Sequence, residues 1–422
     1  MATRTTDGTA RRGWARLPAL LVAIGVPLAL VGGLASCVAS ELGYLPGDSM
    51  ERVWDAPRDR PAAEYGNAAW AVGDTVVRSR FDAVTAFDAR SGKRRWEYTV
   101  PGRAEICTTS TAASDAVALI VLDDSREGCA TVAAIDLKDG RELWRTGRRG
   151  PGGDVATGAG LAVILDTDER WDSEHAEGTG PVLRGDQALR AVDLRTGAPR
   201  WKAAVPKGCL PRGVAVAPER VLAALTCAGD EAELAAFAPA DGRPRWTVPL
   251  GERRPVAADA SVSFLSAEPT VLKVVEPTRH GVNAFLAFGQ DGRRQGRIDA
   301  FGKHAAVADG KLLLTSGGGV VAFDLASGDE AWRAGSEDHR RSVTAMHAGG
   351  GRVTLLTRHS RDHDELYVFD SATGDTVDER TFSRGEDDGN GELTGLFRYE
   401  DLLVTARWGT GKRRPFSAYR GS

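Results

Sequence analysis

The sequence predicts an all-β fold, an eight-bladed β-propeller of four-stranded antiparallel blades, and three observations predict it. A short motif recurs at the spacing of one blade. Glycine and proline are abundant, at 50 and 19 of 422 residues, while helix-period stretches are few. Strand-like segments near residue 420 lack a final partner that a segment near residue 54 can supply. A period of this length, with tight turns between short apolar runs, is the mark of a propeller blade.

The motif is an apolar strand ending in Asp, a Gly-containing turn, and then Trp. The best copies are Val84-Thr85-Ala86-Phe87-Asp88 with Ser91-Gly92 and Trp96, and Val320-Val321-Ala322-Phe323-Asp324 with Ser327-Gly328 and Trp332. Asp136, Gly140 and Trp144 repeat it, as do Asp193, Gly197 and Trp201. Degraded copies run through Phe237, Gly242 and Trp246, where Ala238 replaces Asp, and through Asp370, Gly374 and Asp378, where Trp is lost. The weakest copy, Phe288-Gly289-Gln290-Asp291-Gly292, is one residue shorter. Asp at the strand end can accept bonds from turn amides, and Gly supplies a positive φ. A flat indole on the next strand can span to the neighbouring blade and donate its N–H to a carbonyl there. Trp54, Trp96, Trp144, Trp201, Trp246 and Trp332 are therefore expected to be structural docking residues and not a cofactor cage.

Seven motifs leave the ends unassigned. Glu392–Phe397, Leu402–Ala406 and Phe416–Tyr419 read as three strands with no Gly-Trp strand after them, while Arg52-Val53-Trp54-Asp55 reads as an outer strand bearing its docking Trp. The N-terminal strand can complete the C-terminal blade, which closes the ring without exposed edges and makes eight blades; seven is the alternative.

These motifs resemble the tryptophan-docking repeat of pyrroloquinoline-quinone-like propellers, over about residues 52–420. That family contains quinoprotein alcohol dehydrogenases and the lipoprotein of the β-barrel assembly machinery. The resemblance implies a dehydrogenase only if the family's site residues are present: adjacent cysteines against the quinone, Ca²⁺ ligands and a general-base Asp. No two cysteines here are adjacent. The expectation is a protein that is not an enzyme, with no cofactor and no resident metal.

A net charge of −4, with both signs interspersed, gives no reason to expect nucleic acid as a partner. Residues 1–40 read as a signal or anchor, residues 41–51 as a linker and residues 52–422 as the propeller. Arg11, Arg12 and Arg16 precede an uncharged run from Leu17 to Ser40. Leu34-Ala35-Ser36-Cys37 near its end resembles a lipobox, which makes Cys37 the lipidation candidate; an uncleaved membrane helix and simple cleavage are the alternatives. Each places the propeller outside the cytoplasm, on the outer face of the cell membrane. Setting Cys37 aside leaves Cys107, Cys129, Cys209 and Cys227, an even number suited to disulfides in an exported protein, with free thiols as the alternative. Cys209 and Cys227 lie equally far from Pro218, so a hairpin centred there sets them opposite one another. Cys107 and Cys129 flank a turn at Ser114-Asp115 less symmetrically, which places Cys129 in a loop that curls back.

Three polar segments qualify as candidate sites. Residues 358–365, with His359, His363, Asp364 and Glu365 and with His339 and His347 in the same repeat, offer metal-ligand types, but Arg358 and Arg361 would repel a cation and a solvated loop explains them. Residues 386–392 resemble a Ca²⁺ loop without EF-hand spacing. The insertion from Asp166 to Arg184 reads as a surface loop without regular structure, of a kind that can carry binding. No nucleophile elbow, HExxH helix or phosphate loop is present. The expected role is a binding or scaffolding propeller that offers its loops to a protein, glycan or small ligand. An extracellular ligand-sensing module is the alternative, and a quinone-dependent dehydrogenase a further one.

Overall fold

The computed structural model describes residues 49–421 apart from 59–67, 124–127, 151–153, 168, 171–181, 184–186, 228–230, 253, 258, 278–280, 337–340, 359–362, 384–391 and 409–413. Eight four-stranded sheets form the body, and every pairing within them is antiparallel. Seven blades are runs of consecutive strands, spanning residues 68–99, 105–147, 155–204, 209–249, 261–298, 305–336 and 342–383. The eighth joins strands Glu392–Tyr399, Leu402–Trp408 and Phe416–Gly421 to Met50–Asp55 from the other end of the chain. The outer strand thus starts at Met50, two residues inside the stretch read as linker, and Ser49 bridges to Thr381 of blade 7. Apart from one 3-10 turn at Pro101–Arg103, the described residues contain no helix.

The strand sequences follow from their depth in the wedge. The second strand of a blade is covered on both faces by its neighbours, so it is apolar without alternation: Val117–Asp123 reads VALIVLD and Leu161–Asp166 reads LAVILD, nearly all of it buried. The outer strands alternate, as in Arg94–Thr99, where Trp96 and Tyr98 turn inward and their neighbours face solvent. The core is correspondingly divided into eight apolar clusters, each shared by two adjacent blades. Stability therefore resides in the blade junctions.

Chain direction gives the ring two unlike faces. First-to-second and third-to-fourth strand connections lie on one, the turn face, and they are short: two residues at Gly73-Asp74, Ala159-Gly160, Pro218-Glu219 and Gly350-Gly351, five or six at the Asp-Gly turns, and at most seven, at residues 110–116. Second-to-third connections and those between blades lie on the other, the loop face. They range from the single residue Gly317 to residues 167–187 and 250–260. The insertion after Asp166 departs from the expectation of a plain loop. Its stem zips into a short ladder, with Glu169 opposite Leu183 and Arg170 opposite Val182.

Candidate functional site: the blade junctions and the two faces

Each tryptophan of the motif lies on an outer strand and donates its indole N–H to a carbonyl in the next blade. Trp54 reaches Ala89 at 3.1 Å, Trp96 Lys138 at 3.2 Å, Trp144 Leu194 at 2.9 Å, Trp201 Pro239 at 2.7 Å, Trp246 Gln290 at 2.9 Å and Trp332 Ser371 at 3.2 Å. The turn glycine has a second role that sequence reasoning missed. It has positive φ, +67° at Gly92 and +71° at Gly242, and it is also the floor on which the preceding blade's indole rests. A Cβ would fall 2.3 Å from Trp54 at Gly92 and 2.6 Å from Trp201 at Gly242. The signal was available, since every docking Trp precedes a glycine in the next blade.

Two junctions are built without an indole, and at the one from blade 7 to blade 8 Asp378 stands opposite Val368 in the place of the Trp. In blade 5, Gly296 pairs with Ala287 where six blades pair Ala with Trp, and a Cβ there would meet the Leu325 carbonyl oxygen of blade 6 at 2.0 Å. Backbone closes on backbone, so the missing Trp reflects a lack of space.

The Asp of each motif organises its turn. Asp88 accepts from the amide and hydroxyl of Ser91 at 2.8 and 2.7 Å and from Arg95, while Asp193 accepts from the amide and hydroxyl of Thr196, both at 2.9 Å, and from Arg200 at 2.5 Å. Burial pushes the Asp88 carboxyl up, yet Arg95 and Ser91 outweigh it and hold it at about 2. Arg200 and the Thr196 amide and hydroxyl hold Asp193 well below the usual carboxylate range. A carboxyl depressed in the folded state stabilises it above the unfolded value near 3.9, and this stabilisation is lost as pH falls through the folded value. The thermal midpoint is thus expected to decline between about pH 4 and pH 2. An Asp88→Asn, Asp193→Asn protein, starting lower, should show a shallower decline in scanning calorimetry across that range.

Charged groups on the turn face are largely spent on one another. Arg90 pairs with Glu400 across the closing junction at 2.6 Å, Arg195 with Asp136 at 2.5 Å, Arg220 with Glu268 at 2.7 Å and Arg352 with Asp370 at 2.7 Å. Ring closure adds its own network, in which Asp55 accepts from Arg414 and from Ser417, both at 2.7 Å.

Both cysteine pairs are disulfide-bonded, Cys107 with Cys129 and Cys209 with Cys227, and both bridges lie at the loop-face ends of inner strands. Cys129 sits in the loop before Thr131–Asp136, and Arg148 donates to its carbonyl at 2.7 Å. The one metal-like grouping among the described residues, Cys209, Cys227 and Glu233, has its two sulfurs joined to each other, so it offers no thiolate pair. In the segment 358–365, Glu365 is engaged by Arg341 and by Tyr367, whose hydroxyl lies 2.8 Å away. His347 lies on the inner strand, and burial together with Arg398 lowers its pKa. His339 and His359 lie outside the described residues, as do Cys37 with the whole of residues 1–48 and the acidic segment up to Gly391. No helix among the described residues is long and apolar enough to cross a membrane.

The exposed large hydrophobics among the described residues are Val53 and Val377 on outer strands and Phe301 on the loop face. Phe301 is 73 % exposed, and Lys273 Nζ stands 6.0 Å from its ring centre.

The fold is similar to solved structures at identities that carry the architecture alone. BamB from Moraxella catarrhalis matches with a TM-score of 0.51 and 13% identity, over 88% of this chain and 99% of that one. The quinohemoprotein alcohol dehydrogenase from Comamonas testosteroni matches with a TM-score of 0.51 and 11% identity, over 88% and 76%. A europium-containing methanol dehydrogenase gives 0.51 and 10%, over 88% and 92%. No curated protein sequence matches the chain. The family profile described as "Outer membrane protein assembly factor BamB" matches residues 48–170 and 185–394, most of the ring just described, and the chain belongs to that family of PQQ-like propellers.

Proposed function

We propose that this protein is a non-catalytic binding scaffold, held at the outer face of the cytoplasmic membrane by residues 1–40 and presenting its loop face to a protein partner. The unlikeness of the two faces carries this reading. Turn-face connections are short and many of their charges are paired with one another, whereas the loop face holds the long, variable connections, both disulfides and the exposed Phe301. Variable loops on a rigid frame are where binding residues concentrate. An exposed aromatic is a usual anchor of a protein interface. The family's description as an assembly factor favours a protein over a glycan or small ligand. The dehydrogenase reading lacks the paired adjacent cysteines that the quinone site of those relatives uses, and shared fold does not confer activity.

Photo-crosslinkers at Lys207, Glu252 and Phe301 on the loop face, and at Arg243 and Arg293 on the turn face, test the reading in cells. One common adduct from the loop-face positions alone is expected, and an equal yield from the turn face overturns it. Dye reduction with an alcohol after addition of pyrroloquinoline quinone and Ca²⁺ would establish catalysis instead. For the anchor, the expected outcome is incorporation of radiolabelled fatty acid that disappears in Cys37→Ser; a parent chain without label excludes lipidation.

A further inference from the structure

We infer that Phe301 and Lys273 together form a contact point on the loop face for a protein segment that carries an apolar side chain beside a carboxylate. The inference rests on the binding reading above and deepens it by naming an anchor and the chemistry of its partner. Two unrelated departures from the repeat meet at this corner of the ring.

Lys273 is the first. It lies on the second strand of blade 5, Thr270–Val275, on the face that Val271 turns toward blade 6. Its place in the ladder, opposite the third-strand residue Phe285, is taken in the other blades of consecutive strands by Ser79, Val121, Leu165, Ala224, Thr315 and Leu356. Small or apolar side chains suit that place, because the adjoining blade covers it. A lysine there leaves its apolar stem in the junction and has to carry its charge outward. The ammonium arrives 6.0 Å from the Phe301 ring centre, within cation–π reach, and forms no ion pair among the described residues. The carboxylates nearest to the two residues in sequence are already engaged. Asp299 is held by the Arg297 guanidinium at 2.7 Å, and Glu276 by Arg254 at 2.8 Å and by the Ala257 and Val282 amides.

Phe301 is the second. Its side chain is largely exposed, yet the backbone that carries it is fixed on both sides. Ala300 packs against the cluster shared by blades 5 and 6, and at Gly302 a Cβ would fall 3.0 Å from the Thr315 carbonyl oxygen. The His304 amide donates to the Thr315 hydroxyl and the Thr315 amide to the His304 carbonyl, both at 3.0 Å. An aromatic already held in place loses little freedom when a partner covers it, which makes it an effective anchor. Blade 6 turns back after the single residue Gly317, the shortest connection of the loop face, so no long hairpin loop of that blade screens the ring.

The pair presents an apolar surface with an uncompensated cation at its edge. A segment that lays an apolar side chain on the phenyl ring and a carboxylate on the ammonium satisfies both at once. A basic segment is repelled by the same ammonium.

The test is fluorescence anisotropy with the full-length protein in detergent and fluorescein-labelled peptides of repeating Gly-Phe-Glu, Gly-Phe-Gln or Gly-Phe-Lys. The parent protein is expected to bind the acidic repeat about tenfold more tightly than the neutral one, and the basic repeat least. Phe301→Ala and Lys273→Met should each weaken binding of the acidic repeat about tenfold, whereas Arg243→Ala on the turn face should leave it unchanged. Lys273→Met keeps the stem in the junction, so its thermal midpoint should equal or exceed that of the parent. No preference of the parent for the acidic repeat, or parental affinity in Phe301→Ala or in Lys273→Met, overturns the contact point. Phe301, being exposed, keeps the result interpretable if Lys273→Met folds poorly. Crosslinking from Lys207 in cells separates this contact from the reading it rests on. A loop-face adduct that persists unchanged in Phe301→Ala overturns the contact and leaves loop-face binding standing. Absence of any loop-face adduct in the parent overturns both.

Discussion

Replacing Trp201 with alanine is expected to destabilise the protein by about 3–5 kcal/mol, the usual cost of truncating a buried aromatic. The indole is 9% exposed and packs into the apolar cluster shared by blades 3 and 4. Its N–H satisfies the Pro239 carbonyl at 2.7 Å, and loss of that donor adds a desolvated acceptor. The partner substitution Gly242→Ala should cost a comparable amount for two separable reasons: a left-handed φ of +71° and a Cβ 2.6 Å from the same indole. Combining the two separates them. With Trp201 already alanine, Gly242→Ala should cost only the left-handed backbone penalty, about 1–2 kcal/mol. Urea denaturation of the four proteins measures the coupling. Costs that add within about 0.5 kcal/mol would mean that the indole does not rest on the glycine.

Removing the disulfides is the second large effect. Chain-entropy reasoning assigns each bridge about 3 kcal/mol, because the closed segments, separated by 22 and 18 residues, differ too little to distinguish them. Replacing Cys107 and Cys129 by serine should lower the urea midpoint about as much as replacing Cys209 and Cys227. Dithiothreitol should reproduce the combined loss in the parent chain and do nothing to the variant lacking all four. A midpoint in the parent insensitive to reductant would show that the bridges are absent in solution. Both bridges clamp inner-strand ends at the loop face, so the local effect falls on the surface proposed to meet a partner.

The Cys209–Cys227 bridge illustrates how a sequence can predict a pairing for an incomplete reason. Symmetry about Pro218 places the two opposite one another, yet the turn is the two-residue step Pro218-Glu219, from which strict pairing would set Cys209 opposite residue 228. A bulge at Arg212 absorbs one residue and restores Cys209 to Cys227. Bulges are set by local twist and by contacts on both faces of a strand, which spacing does not encode. Gly296 is a similar case. The sequence shows that a Trp is missing, and only the packed ring shows the Leu325 carbonyl occupying the space.

What the sequence determined by itself was the repeat: strand endings at Asp, turns at Gly, indoles at fixed offsets, and an N-terminal strand to complete the last blade. These are local or periodic features, written wherever the chain needs a positive φ, a capped turn or a buried face. The tertiary structure decided what the ring's two faces are. Some turn-face cations meet a carboxylate across a junction, as Arg90 meets Glu400 and Arg195 meets Asp136, between residues far apart in sequence. Likewise, Met50 enters on the turn face because the alternating direction of antiparallel strands assigns every connection to one side or the other. Closure of the ring turns that alternation into two chemically different surfaces.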